Sequence, residues 1–142
     1  MHKLIYLTTL LIICGFALWR GGRPERLAAL IMIAGSLASV PAAALVAATW
    51  LTPELGILGV DLIVLGLFIA LSLWSDRFWP MWMTGFQLTS VAIHLATMAE
   101  LTIVPKAYAM AQAFWAYPML ATLLIGTWNV HRTAKKKMVS DN

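Results

Sequence analysis

Charge is scarce in this chain: 11% of its 142 residues are charged and only six are acidic, while 61% are hydrophobic. Average domains carry about 25% charged residues, so a mean hydropathy of +0.83 excludes an ordinary water-soluble domain and predicts an integral membrane protein. Cysteine is nearly absent. With Cys14 alone, an intrachain disulfide and a CxxC redox or zinc site are excluded, and the thiol reads as a small apolar packing group. Catalytic signatures are missing too: there is no GxSxG, HExxH or phosphate-binding glycine loop, and the loops are too short to build a soluble active site. The expectation is a protein that is not an enzyme and for which no motif requires a cofactor. The net charge of +4 does not signal nucleic acid, because the basic residues cluster between apolar runs, where membrane topology explains them.

What the chain does have is five apolar runs, at about 4–19, 27–50, 57–74, 79–98 and 107–128. Each is near the roughly 20 residues that cross a bilayer core at about 1.5 Å per residue. The first is the shortest and follows His2 and Lys3 as a signal peptide would. It leads into "RGGRPER" rather than a small-residue cleavage site, and reads as an anchor; discarding it leaves a four-span alternative. Gly21 and Gly22 stop the first run, and Pro24 with Glu25 suits the first turn of the second. Pro53 and Gly56 break the chain before the third, Pro80 fits the first turn of the fourth, and Pro105 opens the fifth. Trp19, Trp50, Trp74, Trp79, Trp82 and Trp128 lie near run ends, where indoles form interfacial belts, and Trp115 is deep.

Lysine and arginine counts orient the bundle. With the amino terminus outside, eight of them (Arg20, Arg23, Arg26, Arg77, Arg132, Lys135, Lys136, Lys137) are cytoplasmic, against Lys3 and Lys106 outside. The four-span alternative would put "RGGRPER" opposite the basic tail. The fold class is therefore all-α: an integral membrane helical bundle of five transmembrane helices, amino terminus outside and carboxyl terminus cytoplasmic. Residues 1–130 form the bundle and 131–142 a mobile basic cytoplasmic tail. The location is a bacterial inner membrane, crossed several times.

The second run carries Ala34/Ala38, Gly35/Ser39 and Ala44/Ala48 at small-xxx-small spacing, which predicts that this helix lies inside the bundle. Pro41 and Pro118 should kink the second and fifth helices. In "SDRFWPMW", Asp76 is placed to cap the fourth helix. Arg20, Arg23, Arg26, Arg77, Lys135, Lys136 and Lys137 are placed to meet lipid headgroups.

The polar residues inside the runs carry the functional expectation. In this topology His94 lies about five residues, or roughly 7 Å, below the outer end of its helix. Asp61 and Gln112 fall at the same depth on two other helices. Glu54 and Glu100 sit just above, and Tyr6, Thr8 and Thr9 face the layer from the first helix. Gln87, Ser90, His94 and Met98 follow a helical stripe that should face protein. An intramembrane Asp is costly unless paired, and imidazole is the side chain that changes charge near neutral pH.

The layer can be a proton relay, a pocket for a small ligand or quinone headgroup, or only an interhelical bond that sets register. A metal site on His94 and Met98, which would suit copper, is a weak alternative. The leading expectation is a non-catalytic subunit or accessory protein of a larger membrane complex, with the bilayer and a membrane protein or a second copy as partners. The alternative is a bundle that handles a ligand, proton or metal. We predict that cysteine labelling will report residues 20–26 and 132–142 as cytoplasmic and 51–56 as outside; a cytoplasmic signal from the amino terminus would overturn the five-span topology.

Overall fold

Apolar segments bounded by proline and glycine can satisfy their backbone groups internally only as helices, and each forms one. The computed structural model describes residues 2–48, 53–99 and 105–140, and these contain five helices and no strand. They are α1 (His2–Arg20), α2 (Arg23–Ala47), α3 (Pro53–Trp74), α4 (Trp79–Ala99) and α5 (Pro105–Ser140). Pro24 lies in the first turn of α2, Pro80 in that of α4, and Pro105 opens α5. Pro53 opens α3 rather than preceding it, and Gly56 belongs to the same first turn.

Each helix packs on the next in sequence order, α5 returns to α1, and α2 also touches α5. The result is a closed ring around one apolar interior. Leu10, Cys14 and Ala17 enter it from α1, and Ala28, Ala29 and Met32 from α2. The remainder is Val64, Phe68 and Leu71 of α3, Met83 of α4, and Met119, Leu120 and Leu123 of α5. Cys14 is fully buried there. The outside is apolar as well: Leu4, Ile12, Leu37, Val40, Ile63, Leu73, Leu88 and Ile125 are each more than half exposed. Two helices, α2 over Arg23–Val46 and α3 over Leu55–Trp74, are long and apolar enough to cross a membrane, and α1 adds a shorter apolar stretch, Leu4–Arg20.

Helix α2 does not lie wholly inside. Its Gly35 faces α3, where an added Cβ would stand 2.8 Å from Val64 Cγ2. Gly56 of α3 in turn presses on the Ala42 carbonyl, and a Cβ there would lie 3.0 Å from Val46 Cγ2. Ala34, Ala38, Ala44 and Ala48 are exposed. Adjacent positions on a helix point about 100° apart, so the Ala34/Ala38 and Gly35/Ser39 pairs cannot both face one neighbour. A ring position supplies contacts over only part of the helix circumference.

The tail also departs from expectation. Helix α5 continues through Ser140 rather than giving way to a mobile segment after residue 128. No glycine or proline interrupts residues 129–140, Thr133 Oγ1 donates back to the Asn129 carbonyl at 2.9 Å, and Lys137 in the last turn suits the negative end of the helix dipole. The helix also runs through Pro118, as α2 runs through Pro41.

Candidate functional site

One stripe of α4 is polar and buried: Gln87, Ser90 and His94, spaced three and four residues apart and so stacked on one face. Opposite this stripe stands Asp61 of α3. His94 Nε2 lies 3.0 Å from Asp61 Oδ2, and the same oxygen accepts from Ser90 Oγ at 3.4 Å. Gln87 Nε2 donates to the Asp61 backbone carbonyl at 3.2 Å, using that oxygen's second lone pair. Three rungs of one helix therefore hold one residue of the other. The imidazole is 1% exposed and the carboxylate 18%, so the pair has a buried side and an open side.

The other expected site residues scatter. Met98 is 42% exposed, and none of residues 95–99 is buried. Among the described residues the buried stripe thus ends at His94. Met98 does not share the site, and among the described residues no group of three or more His, Cys, Asp or Glu could hold a metal. Thr8 and Thr9 bond their own helix at the Leu4 and Ile5 carbonyls. Tyr6 instead reaches across to Ser36 Oγ of α2 at 3.0 Å and meets the Tyr117 ring edge-on at 6.3 Å. Glu100 and the side chains of Glu54 and Gln112 lie outside the described residues.

Of the basic residues, Arg23, Arg77 and Lys135, Lys136 and Lys137 are exposed. Arg20 stacks over Trp19 at 4.6 Å. Arg26 Nε donates to the Gly21 carbonyl at 3.1 Å. In the loop before α4 the Arg77 N–H bonds Ser75 Oγ at 3.2 Å, a turn that precedes the helix, and Asp76 is exposed rather than capping α4. Trp115, expected deep, is half-buried and stacks on Phe86 with centroids 6.1 Å apart.

A second polar pair lies at the opposite end of α4, and sequence reasoning missed it. Glu25 is fully buried, and its Oε1 accepts the Trp79 indole N–H at 3.1 Å, while Oε2 is a buried acceptor without a hydrogen-bond partner among the described residues. Gly21 makes room, since a Cβ there would stand 2.6 Å from Glu25 Cβ. The signal was present: Glu25, Ala28, Ala29 and Met32 fall at i, i+3, i+4 and i+7, the pattern of one inward helix face. Glu25 had been assigned to helix initiation and Trp79 to the aromatic belt, two local roles that hid a contact spanning 54 residues.

These observations define an all-α bundle with two helices of membrane-crossing length, an Asp–His pair at one end and a Glu–Trp pair at the other. Comparison with protein-family models, curated proteins and solved structures finds no match.

We predict that Trp79→Phe, which removes the donor to Glu25, lowers the unfolding free energy in detergent by about 1–3 kcal/mol, and that adding Glu25→Leu recovers part of the loss because both polar partners are then gone. A double variant as unstable as the sum of the singles would refute the bond.

Proposed function

We propose that all five helices are membrane spans, with the amino terminus outside, in a multi-pass protein of a bacterial inner membrane. The Asp61–His94 pair is its working site. Apolar side chains exposed on every helix support the spans, since soluble monomers rarely expose contiguous apolar patches beyond a few hundred Å². In this topology the pair lies near the outer face.

One observation carries the site reading: a carboxylate held by a buried imidazole yet itself 18% exposed. A register-setting bond needs no open side. Asp61 presents its free lone pairs outward while His94 fixes the carboxylate and offers the proton acceptor or donor behind it. Such a pair suits a small ligand that brings a hydroxyl, amide or amine and enters from the outer side. The pair lies at one end of the bundle, beyond the fully buried Phe68, Met83, Leu120 and Leu123.

A second reading, an accessory subunit of a larger membrane complex, is favoured by the exposed small-residue face of α2. Ala34 and Ala38 there would let a partner helix approach closely.

Purification in mild detergent separates the two. The site reading predicts a small molecule, found by mass spectrometry in near-stoichiometric amount with the native chain and lost in His94→Gln, whose amide keeps a donor and an acceptor but carries no exchangeable charge. The helical content of that variant stays unchanged. The subunit reading predicts a co-purifying membrane protein that survives His94→Gln and is lost in Ala38→Leu. A bare, monodisperse bundle in every case defeats both.

A further inference from the structure

Between the first turns of α4 and the middle of α5 lies a cavity of about 540 Å³, a size typical of ligand pockets. Its floor is built by a contact that only glycine permits. The Trp79 ring lies flat on Gly126, where an added Cβ would stand 3.0 Å from the indole, and the Glu25 carboxylate fixes that ring through its N–H. Phe78, Trp82 and Ile125 form the walls, while Arg77 and Asn129 supply polar groups. Arg132 follows Asn129 by three residues, one turn further along the same face of α5, and is exposed. Two guanidinium groups outnumber Asp76, the exposed acidic residue beside Arg77 in that loop, and the balance near the mouth is positive. Glu25 is turned inward and adds no charge there.

A second cavity of about 330 Å³ shares Phe78 and Trp82 with the first and continues along α4 past Phe86 to Thr89, with Trp115 of α5 on its far side. From Trp79, where α4 begins, to Thr89 is ten residues, roughly 15 Å along the helix. A polar mouth with two diverging apolar grooves has the shape of one particular class of molecule.

We propose that this is a binding site for an anionic phospholipid of the cytoplasmic leaflet. The phosphate sits between Arg77, Asn129 and Arg132, and the two acyl chains straddle Trp82, one in each groove. Arginine suits the phosphate because its planar fork presents paired N–H donors, and the Trp79 ring seated on Gly126 gives a chain an apolar surface to lie on. The proposal rests on the five-span reading and is independent of the Asp61–His94 site.

The test is native mass spectrometry of the full chain after exchange into detergent with equal phosphatidylglycerol and phosphatidylcholine. A basic residue near an anionic lipid contributes about fivefold in affinity, so the native chain should retain phosphatidylglycerol about twentyfold better, and Arg77→Gln should lower that preference about fivefold. Ile125→Trp alters a residue 61% exposed, outside the core, and fills the groove; it should abolish retention of either lipid while the circular dichroism is unchanged. Equal retention of both lipids by the native chain, or a preference untouched by both variants, would overturn the site. A chain that stays monodisperse without detergent would instead refute the span reading on which it stands.

Discussion

A carboxylate can stand in an apolar helix contact only if a neighbouring helix supplies its hydrogen bonds. In this bundle Asp61 imposes that requirement and α4 meets it. His94, Ser90 and Gln87 all come from one stripe of α4, so sliding the helix by a single turn, about 5.4 Å, would remove every rung at once. An interface of leucines and alanines would tolerate such a slip far better. Further along the same contact, Ser72 Oγ and Thr84 Oγ1 meet at 2.8 Å, and at the far end the Trp79 indole ties α4 to α2. Helix α4 thus holds its two partners by directional bonds at both ends, and the ring closes around it by packing.

The separation of the two ends has a chemical consequence. From Trp79 to His94 is fifteen residues, roughly 22 Å, and the space between holds Phe68 and Met83 with no exposure at all. The Asp61–His94 pair and the Glu25–Trp79 pair are therefore well separated along α4, with packed apolar side chains between them. One has an open carboxylate, and the other is a closed contact that shapes the floor of a groove.

Much of the architecture was legible because helices obey a short period and a short list of stops. The five elements, their opening prolines and the shared level of Asp61 and His94 all follow from counting residues at 1.5 Å each. Other features need the third dimension. Ala34 and Gly35 are neighbours in sequence but point in different directions, so the small residues of α2 could not reveal which face met α3. Met98 continues the polar stripe by spacing, yet its side chain is exposed. The basic tail looked mobile because charge runs usually are, whereas its lack of glycine and proline lets α5 continue. Glu25 was the hardest to place. Its position beside a proline in a first turn gave a sufficient local explanation, and its partner lies two helices on, 54 residues away.

The central claim is that Asp61 and His94, with Nε2 and Oδ2 3.0 Å apart, interact across α3 and α4. A double-mutant cycle tests it most directly: unfolding free energies in detergent for the native chain, Asp61→Ala, His94→Ala and the pair. Alanine introduces no new bond at either position, as such a cycle requires. The bond predicts that the double variant loses less stability than the two singles together, by about 0.6 to 1.7 kcal/mol, the range measured for interhelical hydrogen bonds in membranes. Losses that add to within about 0.3 kcal/mol would contradict it, and would leave His94 buried for some reason other than Asp61.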